Sequence, residues 1–307
     1  MRHMVLRRLG TLPFVLAGVA VILFIISQVL PSDPARLIGG DGATPEMRAQ
    51  ITKNLGLDRP PWEQFVSFVD RLLHGDLGVS IRYHVPVSSL IMDGLPATLT
   101  LVASATLVAI IIALTIGTLS ARYRGTWFDV VSRAIVVIGT STPVFFIGLV
   151  AILIFGYYFD MLPVSGRGDP PDVVHLILPS LVLGLHEAGS ATRILRASMI
   201  DELNSDQAQA ARARGIPRGT ILIQNGARNA VLPTITDLGV GLADLAGSVI
   251  LIETVFNWPG IGKLVSTAIQ WNDFPLISGA VLMLVLYSVL VSLLVDILYG
   301  VFDPRLR

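Results

Sequence analysis

The sequence predicts an all-α integral membrane protein with six transmembrane helices and a folded extracytoplasmic segment after the first. Three observations support this. The 307 residues are 53% hydrophobic and only 14% charged, with a mean hydropathy of +0.71, which is far more apolar than a soluble domain of that size. Several uncharged runs reach the ~20 residues that a helix needs to cross a bilayer. The basic residues also sort to alternate connections between those runs. The formal net charge is zero, so the placement of charge carries the information. Cysteine is absent, which excludes disulfides and thiolate metal sites.

Residues 1–30 read as a cytoplasmic N-terminus and first span, MRHMVLRR followed by the uncharged run Leu9 to Leu30. That run is long for a signal peptide, and no small-x-small cleavage site precedes Pro31. Residues 31–93 form the extracytoplasmic helical segment. Thr44 and Pro45 have the chemistry of an N-cap and first helical residue, with Gly56 as the stop. Trp62, Phe65, Val66, Val69, Leu72 and Leu73 then recur at helical spacing, while Glu63, Gln64, Ser67, Asp70 and Arg71 face the other way. That apolar face is expected to pack on the protein's own membrane-edge helices.

Residues 94–307 hold the remaining five spans. Gly94 to Ala121, Ala134 to Phe159 and Phe274 to Val295 carry no charge. Val173 to Thr192 contains His175, His186 and Glu187, and Asn229 to Ile252 contains Asp237 and Asp244. Those two suit helices that face a bundle interior rather than lipid. With the N-terminus inside, the cytoplasmic side collects Arg2, Arg7, Arg8, Arg122, Arg124, Arg133, the six arginines from Arg193 to Arg228, Arg305 and Arg307. The two short outer loops hold only Arg167 and Lys263. Both termini are then cytoplasmic, as is the loop 193–233.

The stretch Asp206 to Pro233 in that loop is the strongest functional candidate. Ala208, Ala210, Ala211 and Ala213 read as a short helix with Asp206 at its start, where the helix dipole favours an acid. Gly215, expected in the left-handed conformation, and Pro217 end it. A polar helix with so little bulk has no private core and suits docking into a partner; a solvated loop is the plain alternative. Inside the membrane, Asp237 and Asp244 are seven residues apart and fall nearly on one line of a helix. They are candidates to line a translocation cavity with Asp296, His186 and Glu187, the alternative being hydrogen bonds to neighbouring helices.

No enzyme chemistry is visible. Gly260-Ile261-Gly262-Lys263 has Asn257 where a phosphate loop needs its first glycine and Leu264 where it needs Ser or Thr. The histidines lack HExxH spacing, so no metal site is predicted. Nucleic acid does not suit a neutral chain whose arginines sort by membrane side.

These residues carry a family resemblance that runs the length of the chain. DQAQAARARG at Asp206 to Gly215 and RNAVLP at Arg228 to Pro233 resemble the cytoplasmic-loop motifs of the first permease subunit of the dipeptide and oligopeptide class of ATP-binding-cassette importers. DPA at Asp33 to Ala35, LGLDRP at Leu55 to Pro60, GDLGVS at Gly75 to Ser80, ETVFNWPGIGKL at Glu253 to Leu264 and DPR at Asp303 to Arg305 extend the match. Gln209, Ala210 and Ala211 stand where the wider superfamily has Glu-Ala-Ala, and Gln207 replaces an aromatic residue.

The resemblance implies a type I importer permease fold in a bacterial inner membrane. It also implies a second, homologous permease subunit, two ATPase subunits (or one fused) that bind ATP, and an extracytoplasmic binding protein. Coupling to the ATPase would fall to Asp206, Gln209, Ala210, Ala211, Arg212, Arg214 and Gly215. No cofactor is implied for this chain. The competing reading, a proton-coupled secondary transporter, would use His186, Glu187, Asp237 and Asp244 as a relay. It would also show inverted repeats, and none is visible in the sequence.

Overall fold

The computed structural model describes the backbone of residues 2–29, 34–40, 42–222 and 228–302, and the side chains of 10–29, 36–40, 42–217, 219–222 and 230–297. Helix dominates, and the only β-pairing among the described residues is an isolated antiparallel bridge between Val79 and Pro86. The first long helix, α1 (Arg2–Val29), is followed by three short ones, α2 (Pro34–Gly39), α3 (Pro45–Asn54) and α4 (Pro61–Leu73). The expected cap of α3 is present, with Thr44 Oγ1 accepting from Met47 N at 3.2 Å and Gly56 at φ +66° beyond its end.

Helix α4 packs on α1 through Phe65 and Phe68, whose ring centroids lie 5.2 and 6.2 Å from that of Phe24. Gln28 Nε2 donates to Gln64 Oε1 at 3.1 Å beside them. The expected packing on a membrane-edge helix therefore holds for only part of the apolar face. Trp62, Val66 and Leu73 remain exposed, because one neighbouring helix covers less arc than the apolar stripe occupies.

Helix α5 (Val87–Arg122) starts at Val87 rather than Gly94, so the expected boundary of the 31–93 segment falls inside a helix. Its 36 residues rise about 54 Å, well beyond the ~30 Å hydrocarbon core. The first turns, with exposed Asp93, accordingly fit outside the bilayer.

The span expected at Ala134 to Phe159 is not one helix. Helix α6 (Trp127–Ser141) and helix α7 (Val144–Ala151), which continues as a π-helical stretch Ile152–Tyr158, meet at 111°. Thr142 is extended and Pro143 opens α7; a proline has no amide hydrogen and disfavours helical backbone in the residue before it. Hydropathy does not register this break because Thr142 and Pro143 are uncharged. Five described helices are long and apolar enough to cross a membrane, and the bent pair, taken as one span, makes the sixth.

The chain continues through α8 (Val173–Asn204), α9 (Asp206–Ala213), α10 (Arg218–Ile221), α11 (Arg228–Val255), α12 (Ile261–Gln270) and α13 (Phe274–Phe302). Helices α5 and α8 run parallel at the centre, joined through the small residues Ala105, Ala109, Ala113 and Gly117 of α5 and Gly184, Ala188 and Ala191 of α8. A Cβ on Gly184 would sit 2.7 Å from the Ala105 carbonyl oxygen, so only glycine permits this backbone approach. Helix α11 lies antiparallel to α8, and α13 antiparallel to α11, with Val295 filling the space above Gly239. The starts of α5, α8 and α13 thus share one end of the bundle, and the connections 123–126 and 205–222 share the other.

Candidate functional site

Helix α8 runs without a break out of the bundle and delivers the chain to the loop. Ser205 closes it and caps α9, donating through Oγ to the Glu202 carbonyl at 2.7 Å and accepting from Ala208 N at 3.3 Å. Gly215 adopts φ +77°, the left-handed geometry expected there. The alanines, however, divide between two faces. Ala208 and Ala211 are buried against Leu203, Ile216 and Ile221 of the same loop. Ala211 is therefore not on an outward docking face, because its small side chain lets α9 approach its own loop. Asp206, Gln209, Ala210, Arg212, Arg214 and Gly215 form the exposed side.

Two hydrogen bonds tie that side back to α8, from Arg212 Nη2 to the Leu203 carbonyl at 3.0 Å and from Gln209 Nε2 to the Asn204 carbonyl at 3.3 Å. Leu222 and Ala230 pack with Ala121, Leu195 and Met199, which joins the loop to the ends of α5 and α8. The Arg228 and Asn229 side chains, the DPR motif at Asp303 to Arg305 and the DPA motif at Asp33 to Ala35 lie outside the described side chains.

The structure brings three of the five intramembrane candidates together. Asp237 Oδ1 accepts from Ser190 Oγ at 3.0 Å. Glu187 lies against Gly241 and within electrostatic reach of both Asp237 and Asp244. Tyr287 of α13 approaches Glu187, and its hydroxyl has no hydrogen-bond partner among the described residues. Asp244 is exposed and Asp237 half-buried. Asp296 follows Val295, which packs on Gly239 between Asp237 and Gly241. His186 is directed elsewhere, with Nδ1 at 3.2 Å from the Gly139 carbonyl on α6. Among the described residues no group of three His, Cys, Asp or Glu side chains is close enough to hold a metal ion.

Three buried polar centres were not singled out from the sequence. Glu253, fully buried at the end of α11, accepts from Thr98 Oγ1 at 2.7 Å and from Lys263 N at 3.0 Å. A Cβ on Gly260 would lie 2.1 Å from its carboxylate. The amides at the start of α12, where a phosphate would seat, are thus held by the protein's own carboxylate.

Asp273 is equally buried; it accepts from Ser80 Oγ and from Arg82 N, and caps α13 at Leu276 N. The Arg82 guanidinium lies 3.9 Å from the centre of the Trp271 ring nearby. At the opposite end, buried Asp129 on α6 receives Arg196 Nε and Nη2 of α8 at 2.7 and 2.8 Å. The available signal was a lone acid beside an apolar stretch, which marks a buried partner without saying which one.

Comparison with known proteins agrees with this architecture. Residues 113–307 match the family "Binding-protein-dependent transport system inner membrane component", and residues 1–102 match its N-terminal companion. The probable D,D-dipeptide transport system permease protein of Escherichia coli strain K12 is 40% identical, over 98% of this chain and 96% of its own length. The dipeptide transport system permease protein of the same strain is 34% identical, over 100% and 99%. Its glutathione transport system permease protein is 35% identical, over 100% and 99%.

A crystal structure of an amino acid ABC transporter with histidines shares the fold, with a TM-score of 0.50 and 16% identity over 71% of this chain and 94% of that one. The chain belongs to the inner-membrane components of binding-protein-dependent transport systems: it is a multi-pass permease subunit of an ATP-binding-cassette importer, working with a second permease, ATPase subunits and a binding protein, and is not itself catalytic.

Proposed function

We propose that this permease forms half of a translocation pathway for dipeptides, oligopeptides or related small solutes, with both termini in the cytoplasm. The observation that carries the coupling half of this reading is the exposed side of α9, fixed to the end of the continuous helix α8. Asp206, Gln209, Ala210, Arg212, Arg214 and Gly215 would seat on the ATPase, while Ala211 would hold α9 onto its own loop. Closure of the ATPase pair on ATP would then move α9 and α8 as one rigid group.

The arginine distribution supports the orientation. On this reading the connections 123–126 and 205–222 would lie inside, and the helical segment that precedes α5 outside, on the side of the binding protein. Glu187, Asp237 and Asp244, with Asp296 nearby, would line the pathway and offer acceptors to the ammonium group of a peptide. His186, held against α6, falls outside that set. The names of the similar permeases, which concern dipeptides and glutathione, support this solute class.

Reconstitution with the partner permease, ATPase subunits and binding protein tests the reading. ATP-dependent accumulation of labelled dipeptide, lost when the binding protein is omitted, is the expected result. A binding protein that ignores di- and oligopeptides and glutathione in competition binding would overturn the solute class.

A further inference from the structure

Helix α1 reaches the rest of the described bundle by packing on α13 and, more sparingly, on α4. Between these three helices runs an open groove of about 540 Å³ lined by apolar side chains, including Leu16 and Ala17 of α1, Val69 and Leu72 of α4, and Met283 and Leu286 of α13. Along α1 it extends from Leu12 to Val21, which at 1.5 Å per residue is about 14 Å. That is close to half of the ~30 Å hydrocarbon core.

A second cavity of about 470 Å³ shares Leu72, Leu77 and Gly279 with the groove; its lining is mostly apolar but brings in Arg71 and His84, with Asp76 as the one acid. The apolar stripe of α4 that α1 leaves uncovered meets the groove at Leu73, with Trp62, Val66 and Leu73 67%, 57% and 81% exposed. Such a stripe is the mark of a helix seated at a membrane interface.

The geometry points to a bilayer phospholipid as the occupant, with one acyl chain in the groove and its phosphate in the adjoining cavity beside Arg71. Helices α1 and α13 are both membrane spans, so the groove opens onto hydrocarbon. Its length suits one acyl chain, and its lining offers a protein partner no polar side chain to recognise. Arg71 stands in the cavity that adjoins the groove at Leu72, Leu77 and Gly279, within a headgroup's reach of an acyl chain in the groove. The lipid would complete a contact between α1 and α13 that side chains alone leave open.

The test uses the complete transporter in phosphatidylcholine vesicles doped with phosphatidylglycerol carrying a photoreactive group in its acyl chain. After illumination, mass spectrometry of the wild-type complex should find label concentrated on residues 65–77 and 279–286. Ala17→Phe, which fills the groove from an exposed position, should cut that label several-fold while label on the exposed face of α6 stays constant. Gly18→Phe, whose added carbon meets nothing within 4 Å, serves as the control on the same helix and should leave the label unchanged. Arg71→Gln should remove the preference for the phosphatidylglycerol probe over a matched phosphatidylcholine probe.

Label spread evenly over all lipid-facing helices, or groove label insensitive to Ala17→Phe, would overturn the acyl-chain site. Protection of these residues by the second permease would assign the groove to that subunit instead. Equal labelling by the two probes in the wild type would overturn the placement of the headgroup. The wild-type label map decides the question even if a variant fails to assemble.

Discussion

Thr98 and Glu253, 155 residues apart in sequence, share a buried hydrogen bond of 2.7 Å that fixes the start of α12 to α5. Thr98 Oγ1 donates to the carboxylate and accepts from Ile261 N at 2.8 Å, while Trp258 Nε1 donates to the Ala97 carbonyl at 2.9 Å beside it. One glutamate thus organises the corner between α11 and α12 where the backbone leaves helix inside the protein. Glu253→Ala leaves Thr98 and the Lys263 amide without their acceptor, at a cost of about 1–3 kcal/mol per buried group. A lowered melting temperature of the solubilised complex is expected. Thr98→Val should lower it too, and the double variant should lose less than the sum of the two; strictly additive losses would show that the two residues do not share a network.

The Asp129–Arg196 pair joins α6 to α8 near the loop end of the bundle. Asp129→Ala strands the Arg196 guanidinium, and Arg196→Ala leaves the buried carboxylate only the Gly125 amide at 3.1 Å and Arg133 Nε at 3.5 Å, a loss of up to roughly 3 kcal/mol. Asp129→Ala and Arg196→Ala should each reduce the yield of folded complex in size-exclusion chromatography. The double Ala variant should recover part of that yield, since neither charge is then left alone.

The two faces of α9 give opposite expectations for one substitution. Ala210→Trp, on the exposed side, should weaken co-purification of the ATPase subunits with little change in the melting temperature of the permease. Ala211→Trp should destabilise the loop itself, because Ala211 is packed against Ile221 and its neighbours. Wild-type ATPase association in Ala210→Trp would remove α9 from the coupling interface.

Asp244→Ala should lower peptide uptake several-fold while assembly and basal ATP hydrolysis remain near wild type. Because the chain has no cysteine, Asp244→Cys offers a direct check on exposure to the pathway. Resistance of that thiol to small hydrophilic reagents in every nucleotide state would place residue 244 in a dry contact.

The orientation is testable with the same chemistry. An impermeant thiol reagent on intact spheroplasts should label Asp169→Cys and spare Arg124→Cys. The reverse pattern would invert the proposed topology.

The sequence alone determined the membrane class, the number of apolar runs, the sorting of arginines and the short helix ending at Gly215. Each of these depends on local composition or on a backbone preference that a residue carries wherever it sits. The break at Pro143 was also written in the sequence, but an uncharged break is invisible to hydropathy. Tertiary structure decided what depends on partners distant in the chain. It paired Glu253 with Thr98, Asp129 with Arg196 and Asp273 with Ser80, gathered Glu187 with Asp237 and Asp244 while directing His186 toward α6, and turned Ala211 inward. A buried charge must find its partner across the fold, and a small side chain is equally suited to its own loop or to another subunit; only the packing of helices from separate parts of the chain selects between them.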